Sequence, residues 1–259
     1  MLDQDWLKAF AAFGSIQHPN LWLPMGACVF ISYEEIVWCV TAAHILNDAK
    51  DKSVGCLVEV SGQQTILNLT EIQSKTPNIR WIIDQASDLA ACPMPLPNGI
   101  NIRSVGFDRC LEQKDLLPSM PCLTAGQPYG LPGVDRTKPT PLILDGVIAG
   151  IDAENGRVFV SVPTFPGNSG GPIIAYRMPW STGGGMNVGR QIVFLAGVIT
   201  RTILLKNEQD DKNHRSDKNF MPPLHLGMGA TVDNIKKLLT SDNALQILQT
   251  IKAMITITK

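Results

Sequence analysis

Apolar residues in this chain fall in short runs separated by turn formers, and most of the runs are too short to make helices. Residues 28–31 and 36–40 flank Ser32, Tyr33, Glu34 and Glu35, a pattern that predicts two strands joined by a hairpin. Runs at 54–60, 65–69, 81–83, 142–148, 157–162, 173–176 and 192–200 carry the same signature. Two stretches instead keep helical spacing. Leu2, Trp6, Leu7, Phe10, Ala11 and Phe13, stopped by Gly14, predict a short packing helix over 2–13. Near the other end, Ile235, Leu238 and Leu239, then Leu245, Leu248, Ile251 and Ile255, predict two helices divided near Ser241 and Asp242, where a second cap fits. Many short strands with polar turns argue for antiparallel sandwich or barrel architecture.

Two further segments organise the chain. Residues 117–141 are dense in proline and glycine and predict a connector between two subdomains. Residues 206–218 hold four acidic and four basic side chains and no apolar one, which predicts a solvated loop. The expected division is therefore 1–21 as N-terminal helix and lead-in, 22–120 and 121–231 as two β units, and 232–259 as C-terminal helices.

Composition narrows the function classes. The 259 residues carry 22 basic and 23 acidic side chains, a formal charge of −1, so no excess of positive charge exists to neutralise a phosphate backbone or an anionic lipid surface. Neither nucleic acid nor membrane is expected as a partner. Six cysteines (Cys28, Cys39, Cys56, Cys92, Cys110 and Cys122) are too sparse for a disulfide scaffold and include no CxxC, so no metal centre and no cofactor are expected. The N-terminus is acidic where a secretory signal is basic, which reads as a cytoplasmic chain with reduced thiols.

Three segments carry chemistry: Thr41, Ala42, Ala43 and His44; then Asp88, Leu89 and Ala90; then Gly167, Asn168, Ser169, Gly170, Gly171 and Pro172. Taken alone, the histidine suits a surface site, the aspartate a turn and the glycines a tight bend. Together they supply what acyl transfer requires: a hydroxyl, a base, an acid to fix the tautomer of that base, and backbone donors for an oxyanion. Small neighbours hold the Ser169 hydroxyl clear of side-chain packing. The oxyanion cradle falls on Gly167, Asn168 and Ser169, with the N–H groups of Gly167 and Ser169 as its natural donors. Asp84, four residues before Asp88, is the competing carboxylate and reads as a loop acid.

These segments resemble, in the order His, Asp, Ser, those of the chymotrypsin/trypsin-like serine peptidases, closest to the bacterial HtrA-like branch but with no PDZ-sized segment after them. The resemblance spans roughly residues 22–240. It implies an all-β fold of two antiparallel six-stranded β-barrels, followed here by the helical tail. It further implies catalysis by His44, Asp88 and Ser169 on a protein or peptide substrate. Asn168 stands where secreted members keep the aspartate that receives a new N-terminal ammonium, so activation by N-terminal cleavage is not expected. The disulfides of those members are missing as well, and six free thiols are expected. Pro163, Thr164 and Phe165 would line the specificity pocket and Thr200, Arg201 and Thr202 the strand that pairs with substrate, implying a small or apolar residue before the scissile bond. Arg201 and His225 leave room for a preference for acidic groups in the peptide, although His225 is better read as a packed histidine. Beside an active endopeptidase stand two other readings: a peptide-binding module or effector switched on by an activating protein partner, and an esterase or self-processing chain.

Overall fold

Where a strand is buried on both faces its sequence loses the alternation of apolar and polar residues, and the N-terminal half of this protein is built from such strands. The computed structural model describes residues 4–18, 21–50, 52–76, 79–96, 99–127, 141–177, 192–204 and 223–257. The charged stretch at 206–218 and the centre of the expected connector, 128–140, lie outside the described residues. In chain order the first half comprises α1 Gln4–Leu7, β1 Phe10–His18, β2 Leu21–Tyr33, β3 Ile36–Ala42, α2 Ala43–Ala49, β4 Ser53–Val60, β5 Gln63–Asn68, α3 Leu69–Lys75, β6 Ile82–Asp84, β7 Leu89–Met94 and β8 Val105–Gly106. The second half comprises β9 Pro121–Gly126, β10 Leu142–Asp152, β11 Arg157–Val160, β12 Pro172–Arg177, β13 Ile192–Leu204 and β14 Pro223–Thr231, followed by α4 Val232–Leu239 and α5 Asp242–Ile257.

The second half closes as a six-stranded antiparallel barrel in the order β10, β11, β14, β13, β12, β9. The first half differs from the barrel expected for it. It is an eight-stranded sheet ordered β5, β4, β1, β2, β3, β7, β6, with β8 beside β2, and among the described residues its two ends do not pair. One end, β5, is largely exposed, and the other, β6, is only three residues long, so neither offers an apolar edge that closure would bury.

The helix expected over 2–13 is also corrected. Only Gln4–Leu7 is helical, and Phe10–His18 is an interior strand between β2 and β4. Phe10, Ala11, Ala12 and Phe13 are all buried, and a contiguous apolar run with both faces covered has no period to separate helix from strand. Within the segment expected as a lead-in, Phe10–His18 is thus a strand of the first sheet. The expected connector over 117–141 is partly strand, because β9 pairs with both β10 and β12 inside the barrel.

Alternation along β2, β3 and β7 feeds two separate cores. Cys28, Phe30 and Cys39 point into the concavity of the sheet with Phe13, Ile45 and Cys56. Val29, Ile31, Trp38, Val40, Leu89 and Ala91 point the other way, into a cluster shared with Ile174, Leu195 and Val198 of the barrel. Into the same cluster α4 sends Val232, Ile235, Leu238 and Leu239, and α5 sends Ala244, Ile247 and Leu248. The two helices thereby bridge the halves. Ser241 divides them, its Oγ accepting from Ala244 N–H at 3.4 Å.

Polar ties fasten α4 to the segment joining the halves. Gln113 N–H donates to Asp233 Oδ2 at 2.7 Å, and Lys236 Nζ donates to Glu112 Oε1 at 2.7 Å. Lys114 and Lys236 together draw the Glu112 carboxyl from its ordinary 4.5 down to about 2.

Two outcomes test this arrangement. Leu239→Ala is expected to cost about 3 kcal/mol in denaturant unfolding, because Leu239 is fully buried in the shared cluster. A carboxylate whose pKa is depressed on folding adds stability that is complete above its unfolded value and lost as pH falls through the folded one. Glu112→Gln is therefore expected to lower the melting temperature slightly at pH 7 and to match the wild type near pH 2, the effect staying small because the pair is solvated.

Candidate active site

An α-helix leaves its first N–H groups without partners, and at α2 a single aspartate immediately before the neighbouring strand β7 satisfies two of them. Ala43 N–H donates to the Asp88 carbonyl at 3.0 Å and His44 N–H to Asp88 Oδ1 at 2.9 Å. The second carboxylate oxygen, Oδ2, lies 2.9 Å from His44 Nδ1. An ionised carboxylate only accepts, so Nδ1 is the donor, and the lone pair of a neutral ring is left on Nε2. Asp88 holds this position at φ 56°, a left-handed conformation that costs a non-glycine residue roughly 1 kcal/mol or more. The β3 and β7 registry, with Ala42 opposite Leu89, brings the two side chains together across adjacent strands.

Asp84 stays with its own loop. Its Oδ1 accepts from Ala86 N–H at 3.0 Å and its Oδ2 from Ser87 Oγ at 2.6 Å. Of the two competing carboxylates, Asp88 is the one that meets His44.

Ser169 sits half-buried in the turn before β12. Its carbonyl accepts from Ala27 N–H in β2 at 2.7 Å, and the Ala27 carbonyl in turn accepts from the buried Thr41 Oγ1 at 2.7 Å, three residues before His44. Two more bonds fix the turn to β13, from Gly170 N–H to Ile199 O and from Ile199 N–H to Gly171 O. Gly170 has φ +81°, and a Cβ there would run into Ala27 O and Thr41 Oγ1, so only glycine lets the turn approach β2 this closely. Among the described residues no hydrogen bond joins Ser169 Oγ to His44. Such bonds are often long in an empty site and tighten around substrate.

The expected cradle is revised at one position. Asn168 N–H is already spent on Phe165 O at 3.0 Å, and its Oδ1 accepts from Phe165 N–H at 3.2 Å, so Asn168 braces the turn from inside and offers no backbone donor. Its Nδ2 is buried without a partner. Gly167 N–H and Ser169 N–H make no hydrogen bond among the described residues. Gly167 takes φ 103°, and its carbonyl accepts from Gln127 N–H at 3.2 Å.

The residues expected to contact substrate separate into buried and exposed sets. Thr164 is fully buried, its Oγ1 has no partner, and its Cγ2 would lie 2.5 Å from a Cβ at Gly227. Thr200 is buried and donates to Met228 O at 3.3 Å. Pro163, Phe165 and Thr202 are half-buried, and Arg201 is exposed with its Nε 3.9 Å from Asp88 Oδ2. On β13, β12 pairs only as far as Val198, whereas β14 pairs on to Leu204. Beyond Ile199 the other edge of β13 is therefore open among the described residues.

None of the six thiols is activated as a nucleophile. All six cysteines are free, and burial raises Cys39 to about 11 and Cys92, Cys110 and Cys122 to about 12. Cys28 is likewise raised by burial, and Cys56 chiefly by its hydrogen bond to Cys28. Among the described residues no group of three His, Cys, Asp or Glu side chains is placed to hold a metal ion, and no helix is long and apolar enough to cross a membrane.

Among solved structures the chain is similar to a serine endoprotease from Yersinia pestis, with a TM-score of 0.53 and 16% sequence identity. The fold is chymotrypsin-like. The match covers 91% of this chain and 63% of that one, so the chain spans less than two thirds of the neighbour's length. No family model and no curated protein matches. At this identity the likeness carries the fold and no particular branch, and activity has to be argued from the side chains.

The bonds that tie Ser169 to Ala27, and Gly170 and Gly171 to Ile199, have no counterpart in the sequence reading, because backbone donors leave no signature in residue type. The glycines at 26 and 170 were the available signal: Cβ atoms at both would collide with backbone of the opposite half. Gly170→Ala is accordingly expected to destabilise the protein by about 2 kcal/mol or more in denaturant unfolding, since it meets both a positive φ and a steric clash.

Proposed function

We propose that the protein is a serine endopeptidase working through an acyl-enzyme. The observation that carries this reading is the hold of Asp88 on both the backbone and the ring of His44, beside a turn whose serine is half-exposed and whose flanking N–H groups are uncommitted. In this reading Ser169 Oγ attacks the substrate carbonyl carbon as its proton passes to His44 Nε2. The oxyanion accepts from the N–H groups of Gly167 and Ser169, and Asp88 stabilises the imidazolium. His44 then returns the proton to the leaving amine, and a water molecule repeats the sequence to release the acyl group. The open edge of β13 beyond Ile199 supports main-chain pairing with an extended peptide. Thr164 occupies the space beside Gly227, which supports a shallow pocket taking a small or apolar residue before the scissile bond.

A fluorophosphonate is expected to label Ser169, and Ser169→Ala to abolish labelling without changing the melting temperature. Asp88→Asn is expected to reduce turnover on the order of 10⁴-fold by presenting the wrong tautomer, while Asp84→Asn stays near wild type. Equal losses in the two variants would remove Asp88 from its role. A second reading, activation by a protein partner, is favoured by the orphaned Asn168 Nδ2 and by the absence of a Ser169 to His44 hydrogen bond among the described residues. Labelling that appears only on adding cell extract would select it.

A further inference from the structure

The register of β13 against β14 shifts between Ile199 and Arg201, leaving Thr200 as the extra residue of a β-bulge. Thr200 Oγ1 secures the bulge on Met228 O. A bulge re-aims the side chains that follow it, and the one that follows is Arg201. Its Nε approaches Asp88 Oδ2 at 3.9 Å, and the side chain keeps 66% of its surface exposed. Asp88 already serves His44 with both oxygens, through the backbone N–H and through Nδ1. The Arg201 contact is thus long and single, where a committed arginine–carboxylate pair is short and bidentate. Arg201 is a cation held at the site with most of its donor capacity facing solvent.

We propose that Arg201 makes the cleft selective for an acidic side chain on the substrate residue immediately before the one that supplies the scissile carbonyl. The inference rests on the endopeptidase reading. An extended peptide paired along the open edge of β13 alternates its side chains between two faces. The residue that supplies the scissile carbonyl would turn towards the barrel, on the side of the half-buried Pro163 and Phe165. Its predecessor turns the opposite way, towards His44 and Arg201. A carboxylate at that position meets a guanidinium whose free donors form a planar fork suited to bidentate pairing. The formal charge of the whole chain is only −1, so this local cation, and not a general field, decides the preference.

The test compares kcat/KM for matched peptides carrying Asp, Asn or Lys at that one position. Roughly 10-fold preference for Asp over Asn is expected at low salt, a larger margin over Lys, and a margin that narrows as salt is added. Arg201→Glu is expected to reverse the order in favour of Lys, and Arg201→Lys to retain the preference for Asp. Ratios within one variant cancel any general loss of activity, so a merely structural role for Arg201 would leave the order unchanged. An Asp to Asn ratio near unity in the wild type, or an order that survives charge reversal, overturns the inference while fluorophosphonate labelling of Ser169 still upholds the peptidase. A protein whose Ser169 never labels, alone or with extract, overturns both.

Discussion

The hydrogen bond from Ala27 N–H to the Ser169 carbonyl is the constraint on which the rest of the site depends. It joins a strand of the N-terminal sheet to a turn of the C-terminal barrel, and nothing else fixes the serine so directly against the half that carries His44. Thr41, three residues before the histidine, holds the same residue through Ala27 O. Ser169, Ala27 and the approach to His44 are therefore one hydrogen-bonded unit. The glycines at 26 and 170 follow from it as a steric requirement, since two backbones in contact leave no room for a Cβ. Behind the contact lies the apolar cluster shared by the sheet, the barrel and both C-terminal helices. That cluster supplies the driving force for bringing the halves together, and the Ala27 bond sets the register in which they meet. If the site performs the proposed acyl transfer, a displacement near 1 Å at such a junction would cost on the order of 100-fold in rate, so a directional bond at the rim of a non-directional hydrophobic interface has a function.

Asp88 shows how the site supports its own strain. The residue sits at positive φ, and the opposing terms are local: its carbonyl and one carboxylate oxygen satisfy the first donors of α2, whose positive end also favours the negative charge. The same two contacts fix the start of the helix that bears His44. Orientation of the imidazole is therefore built from helix capping, and the Nδ1 contact is its final element. Asp84, bonded twice within its own loop, shapes the approach to Asp88 without reaching the histidine.

Much of this was legible in the sequence because the informative residues act through their side-chain type. Strands β10 to β13 announced themselves by short apolar runs between turns, and the break between α4 and α5 by Ser241 and Asp242. The meeting of His44 with Asp88 followed from the short motifs around each. What failed did so for identifiable reasons. Phe10 to Phe13 are buried on both faces, so their sequence carries no period, and an interior strand was read as helix. Closure of a sheet depends on its end strands, and the exposed β5 and three-residue β6 gave an open sheet where a second barrel was expected. Asn168 looked like a donor by position, yet its N–H is consumed within the turn. The link between Arg201 and Asp88 crosses the two halves and depends on a bulge, a one-residue shift in pairing that no residue type encodes.

Selectivity in such a cleft has to come from few contacts. Main-chain pairing along β13 is indifferent to sequence, and an apolar pocket kept shallow by Thr164, which fills the space beside Gly227, has little discriminating power, since one methylene more or less changes preference only modestly. A charged group is a stronger discriminator, because a mismatched partner leaves it repelled or unpaired. Its position matters as well as its sign. Arg201 sits beside the carboxylate that orients His44, so a substrate carboxylate drawn to the guanidinium also relieves the pull that Arg201 exerts on Asp88. Binding of the preferred side chain would then strengthen the hold of Asp88 on the imidazolium that forms during the reaction. Under the proposed peptidase reading, recognition and catalysis would meet on one oxygen atom, Asp88 Oδ2, and a substrate with the acidic side chain would gain in turnover as well as in affinity.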